Sequence, residues 1–212
     1  TGNNNIIQNC LIKNVAGNAL VMNGYNNLAY NNEITRTGKG GIIISGGDTE
    51  TLTPGNSKAD NNYIHDWSEI YQTYQPAVTL EGVGNICSHN EMANSPHEAI
   101  TYKGNNHIIE YNLIHDVCLL SDDAGAIYSG RSWVWYGNIV RYNCIYNVGS
   151  ENHRPDGIYL DDAVSGQQIY GNLLINIPSN SIHVGGGRDN VITNNIIINP
   201  GNNALRFDDR AR

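Results

Sequence analysis

The chain has 212 residues, is 40% hydrophobic and only 15% charged, and carries a net charge of −8. That length is enough to bury a core. The acidic balance, without basic runs, excludes nucleic acid and anionic membrane as partners, and no stretch approaches the roughly 20 apolar residues of a membrane span. Gly (23 residues) and abundant Asn stand where charge is missing. These residues break helices, while the regular apolar periodicity argues against disorder.

The first feature in chain order is an Asn that precedes each short apolar strand. It recurs at Asn9, Asn32, Asn62, Asn90, Asn112, Asn143, Asn172 and Asn195, at intervals of about 22 to 31 residues, the band of solenoids and arrays. Around it the text repeats as N-x-I-x-x-N-x-I-x-N/D, for example in NNHIIEYNLIHD from Asn105 and RDNVITNNIIIN from Arg188. A third strand follows in each repeat: ALVMNG, GIIISG, AVTLEG, AITYKG, AIYSGR, GIYLDD, SIHVGG and ALRFDD. Its second position is always aliphatic, and its fourth is apolar except at Ser129. This period-2 alternation predicts half-buried strands.

Three short strands per repeat, separated by Asn and Gly, predict an all-β fold: a single-stranded right-handed parallel β-helix of about eight coils. Equivalent positions then stack at about 4.8 Å. Asn at the corners is expected to bond coil to coil and, with Gly, to accept the left-handed backbone that sharp corners need. Residues 1–212 read as a single β-helix domain. The opening TGNNNIIQNC, without Met, suggests a segment of a longer protein with both ends open to stacking against further coils or another chain. The four cysteines form no Cys-x-x-Cys pair and read as unbridged fillers, with Cys10 and Cys144 at the same repeat position.

Insertions exceed the base period at 46–60, 67–75, 118–124, 131–136 and 150–156. Insertions of this kind border a binding face in solenoids. They carry Trp67, Tyr71, Tyr74, Trp133, Trp135 and Tyr136, which suit either stacking on sugar rings or capping the core.

The exposed face is read from two columns of the third strand. The third position runs Val21, Ile43, Thr79, Thr101, Tyr128, Tyr159, His183, Arg206. The fifth runs Asn23, Ser45, Glu81, Lys103, Gly130, Asp161, Gly185, Asp208. Adjacent acids flank three of the later strands as Asp122-Asp123, Asp161-Asp162 and Asp208-Asp209. Like charges side by side are costly without a use, and crowded carboxyls drive their pKa values apart, as an acid and a base require. Asp122, Asp123, Asp161 and Asp162 are the candidate catalytic residues. Tyr128, Arg131, Tyr159, His183, Arg188, Arg206 and Asp208 are the candidate substrate-binding residues. His97 and Glu98, ahead of the fourth strand, read as structural. Acids this dense could hold Ca²⁺, but no EF-hand or nonapeptide calcium repeat is present, so the reading carries no metal and no cofactor.

The run SDDAGAIYSGR, GIYLDDAVSG with IYGNLL, VGGGRDNVITNNIIIN and ALRFDDRAR resembles bacterial right-handed β-helix proteins of the glycoside hydrolase family 141 type. The resemblance is close over about residues 94–212. It implies a secreted, extracellular or periplasmic bacterial enzyme acting on plant or microbial polysaccharide or oligosaccharide, as α-L-fucosidases and xylanases of that family do. It further implies one catalytic residue from Asp122/Asp123 and one from Asp161/Asp162. Two other functions stay open at this point. One is a polysaccharide lyase, with Lys103 or Arg131 as base. The other is a non-enzymatic β-helix: an adhesin, a sugar-binding stalk or a filament subunit.

Overall fold

The computed structural model describes residues 2–210. Among them the backbone forms strands, turns and bends and no helix. The strands make three sheets, and every coil contributes one strand to each. All pairing along the sheets is parallel; one short antiparallel ribbon, Gly47↔Pro54 and Asp48↔Thr53, lies off the path. The result is a right-handed parallel β-helix with three strands per coil.

Register follows the repeat. One inward column runs Ile7, Ala29, Ala59, Cys87, Ile109, Val140, Ile169, Ile192. A second runs Ile12, Ile34, Ile64, Met92, Ile114, Ile145, Leu174, Ile197. The third sheet turns Ile42, Val78, Ile100, Ile127, Ile158 and Ile182 into the same core. A fully buried side chain of this size contributes about 1.5–3 kcal/mol. The one polar fourth position also has a reason: Ser129 is small where the preceding rung supplies the large Tyr102. Ser129 Oγ donates to the Tyr102 carbonyl at 2.9 Å, and the Tyr102 hydroxyl donates to Gln167 Oε1 at 3.1 Å.

The corner amides form two internal ladders. In one, the carboxamide oxygen of Asn32, Asn62, Asn90, Asn112, Asn143, Asn172 and Asn195 accepts from the backbone N–H of the coil before, at 2.9–3.0 Å. In the first coil the rung of this ladder is Cys10, whose N–H donates to Asn32. The expected anchor Asn9 instead occupies the left-handed corner, at φ 56°. The same one-residue offset separates Cys10 from Cys144, which shares its column with Leu11. The second ladder runs through Asn27, Ser57, Asn85, His107 and Asn138. His107 stands in for an amide: Nδ1 accepts from the Asn85 N–H, and Nε2 lies 3.0 Å from the Lys103 carbonyl. Cys87 and Cys118 are core fillers.

Candidate functional site

The third sheet carries the site. Its rungs are Leu20–Asn23, Ile42–Asp48, Val78–Val83, Ile100–Asn105, Gly125–Gly130, Asp156–Asp161, Ile182–Gly185 and Leu205–Asp208, here counted one to eight. Pairing places Tyr128 beside Tyr159, Tyr159 beside His183 and His183 beside Arg206. It also places Gly130 beside Asp161 and Gly185 beside Asp208. Register aligns the two columns as the repeat predicts, but Thr101, Tyr159, Asp161 and His183 are buried where the repeat reads an exposed face, because ring stacking and the side chains of Tyr128 and Arg210 close over the later rungs.

Asp161 is the centre of this face. It is 3% exposed, and a buried carboxylate must be paired. Oδ2 accepts from the Tyr128 hydroxyl at 2.9 Å and from Arg131 Nε at 3.3 Å. Oδ1 accepts from the Tyr159 hydroxyl at 2.9 Å, the Asp162 N–H at 3.0 Å and Arg210 Nη1 at 3.3 Å. Burial on its own would raise its pKa. The bonds from Tyr159, Tyr128 and Arg131 and the charge of Arg210 outweigh it and hold the carboxyl below its ordinary value.

Two glycines make this possible. A Cβ at Gly130 would lie 2.4 Å from the Tyr128 hydroxyl and 2.9 Å from Asp161 Cβ. A Cβ at Gly185, the next position after the Val184 that pairs with Leu160, would lie 2.5 Å from Arg210 Nη2. The Tyr128 phenol reaches Asp161 over one gap and the Arg210 guanidinium over the other.

Behind Asp161 lies a second polar group. His183 Nδ1 meets Asp156 Oδ2 at 2.7 Å and Nε2 meets Asp208 Oδ2 at 3.0 Å. Burial lowers the His183 pKa, but the two carboxylates more than reverse this and raise it. The imidazole stacks on Tyr159, with centroids 4.6 Å apart and planes at 3°. Arg210 ties this group to the first, donating from Nε to Asp208 Oδ1 at 3.0 Å and from Nη2 to the Tyr159 hydroxyl at 3.0 Å.

In front of Asp161 opens a pocket of about 290 Å³ lined by Tyr74, Glu98, Lys103, Asp123, Arg131 and Asp161, among others. Of the four candidate catalytic acids, Asp123 and Asp161 line it. Asp123 is exposed at its rim. Asp162 is half-buried, with Arg210 Nη1 at 3.6 Å and Arg131 Nε at 3.9 Å. Asp122 lies outside the pocket. Its Oδ1 accepts from the Arg154 N–H at 2.7 Å and its Oδ2 meets His153 Nδ1 at 2.9 Å, so it pins the loop at 150–156.

Among the candidate binders, Tyr128 and Arg131 line the pocket. Tyr159 and His183 are buried behind Asp161. Arg206 lies 3.5 Å from Asp208, and Arg188 is exposed and bonded to Asp189 at 3.2 Å, both outside the pocket. The loop aromatics divide: Trp67 is buried in the core, whereas Tyr74 is 72% exposed and packs on His97 at 5.2 Å. Among the described residues, no group of three or more His, Cys, Asp or Glu is placed to hold a metal ion.

The sequence reading underweights Glu98. It lines the pocket yet is 2% exposed. Burial, reinforced by the negative charges of Asp123 and Asp161, pushes its pKa up to about 8, against the opposing bond from Thr101 and the charge of Lys103. His97 beside it is pushed down to about 4 by burial. The pocket therefore holds one carboxyl that keeps its proton at neutral pH and one that does not.

No family model, no curated protein and no solved structure matches this chain.

Proposed function

We propose that the protein is a carbohydrate-active β-helix that hydrolyses glycosidic bonds of plant or microbial polysaccharide in the pocket in front of Asp161. One observation carries this reading: carboxyl groups from three different coils, Glu98, Asp123 and Asp161, face one pocket, and their environments drive Glu98 and Asp161 to opposite protonation states. Glycoside cleavage needs that division, with a proton for the leaving oxygen on one carboxyl and a free carboxylate to activate water or attack the anomeric carbon on the other. Asp161 is the ionised group. Tyr74 and Tyr128 offer ring surface for a sugar, and Arg131 offers donors for its hydroxyls. The family 141 likeness points to the same chemistry, with one residue from Asp122/Asp123 and one from Asp161/Asp162, and to an extracellular or periplasmic bacterial setting; of these acids Asp123 and Asp161 line the pocket.

The two cations in the pocket favour a lyase less. Arg131 is engaged by Asp161, and Lys103 lies 3.7 Å from Glu81, its side chain half-exposed. A purely structural solenoid gives no reason for glycine gaps on both sides of a buried carboxylate.

The test is incubation of the purified chain with a panel of neutral and acidic glycans, following reducing ends and ultraviolet absorbance together. New reducing ends without an absorbing unsaturated product are expected. An absorbing product would replace hydrolysis by elimination, and no release from any glycan would leave a binding or structural role.

A further inference from the structure

We propose that Glu98 is the general acid of this site, delivering its proton from Oε1 to the departing glycosidic oxygen; this rests on the glycosidase reading above.

The geometry is specific. Glu98 sits two residues ahead of rung four and bends over it, so that Oε2 accepts from the Thr101 hydroxyl at 2.6 Å. That bond orients the carboxyl and leaves Oε1 as the oxygen that carries the proton. Oε1 is buried and, among the described residues, has no hydrogen-bond partner. The polar group recorded beside it, His97 Nδ1 at 3.8 Å, is buried and unpartnered as well. A buried donor without an acceptor is costly; Glu98 lines the pocket, so a ligand that seats there and draws the side chain toward it supplies the missing acceptor oxygen. Closure from bulk water directs the proton to that oxygen. Asp123 lacks this arrangement: it is exposed at the rim.

The step balances as a single displacement. The proton moves from Glu98 Oε1 to the glycosidic oxygen, which takes the electron pair of the breaking bond to the anomeric carbon. A water on the opposite side gives its oxygen to that carbon and its proton to Asp161. Exchange with solvent then returns a proton to Glu98 and removes one from Asp161.

Two readouts test the assignment, one independent of activity. In deuterated buffer near pH 6, the infrared difference between wild type and Glu98→Gln is expected to show the carbonyl stretch of a protonated carboxyl, disappearing with a midpoint near the value of about 8 set by burial. Thr101→Val removes the bond that favours the charged form, so it should move that midpoint upward. It also serves as the second variant should Glu98→Gln fold poorly. In kinetics, Glu98→Gln should lose about 10²–10⁴-fold on the natural glycan. It should lose little on the dinitrophenyl glycoside of the released sugar, whose leaving group needs no proton. Absence of the infrared band in an active wild type would overturn the acid role alone, and so would equal losses on both substrates. A wild type that cleaves neither substrate would overturn the glycosidase reading and the acid role with it, even with the band present.

Discussion

Gly130 and Asp161 face each other across adjacent rungs, and the missing side chain of the first is what lets the second be held. A Cβ at position 130 would strike the Tyr128 hydroxyl, the group that donates to Asp161 Oδ2. Gly130→Ala should therefore displace the Tyr128 phenol. Hydrogen bonds to a charged group contribute about 1.5–3 kcal/mol. The variant should raise the Asp161 pKa and cut activity about tenfold or more, with the acid limb of the pH profile moved upward. Gly185→Ala should act alike through Arg210. The pH profile of each variant against wild type checks both.

Stability should respond to pH through Glu98, with a definite sign. Its folded-state pKa, about 8, lies above the ordinary carboxyl value of 4.5. Below the ordinary value both states hold the proton and the contribution is whole. Between the two values only the native state holds it, so stability falls by about 1.4 kcal/mol per pH unit as pH rises. Glu98→Gln should flatten this slope and melt higher than wild type at pH 8. Asp156, Asp161 and Asp208 have lowered pKa values. Their contribution is present above the ordinary carboxyl range and is lost as pH falls through their folded values. Thermal melts of both proteins from pH 3 to 9 measure both trends.

The stereochemical outcome follows from the proposed single displacement. Glu98 bonds to rung four through Thr101, and Asp161 ends rung six, so acid and base come from alternate rungs. Water activated by Asp161 on the face opposite the leaving oxygen inverts the anomeric carbon. Inversion is the expected outcome. Proton NMR of the first-formed product, recorded before the anomers equilibrate, reads it directly.

The internal ladder should be far more sensitive than an exposed amide bond between coils. Asn112 Oδ1 accepts from the Asn90 N–H and side-chain amide at 3.0 and 3.1 Å, and its own amide donates to the Cys87 carbonyl at 3.0 Å and Asn143 Oδ1 at 2.9 Å. Asn112→Ala strands those groups in the core and should cost about 3 kcal/mol or more. Asn202→Ala, which removes one exposed bond to Ser179, should change stability by under about 0.5 kcal/mol. Denaturant unfolding of the two variants makes the comparison.

The fold was legible because a solenoid writes its register into its repeat. The repeat alone does not show that Thr101, Tyr159, Asp161 and His183 are buried, but it aligns the third- and fifth-position columns and the Asn ladder, except in the first coil. There NNN and QNC offer several Asn, and only the corner dihedral separates Asn9 from the ladder position. The site was legible in part. Asp161 fell on an outward position, but an Asp-Asp pair at a strand end does not show which member faces the pocket. Asp122 proved to hold a neighbouring loop while Asp123 lines the rim. Glu98 was hidden because it lies in a corner outside the alternating strand, and its burial comes from the coils stacked around it. The glycines at 130 and 185 were visible as gaps. Their use depends on how far a Tyr from one rung and an Arg from beyond the last rung can reach.

The central claim is that Asp161, and not merely an acidic surface, carries the chemistry. The most direct measurement is glycan hydrolysis by wild type, Asp161→Asn and Asp122→Asn, each confirmed folded by circular dichroism. The expected result is reducing sugar from wild type and from Asp122→Asn, with a loss of about 10²-fold or more in Asp161→Asn. Equal activity of Asp161→Asn and wild type would contradict the account.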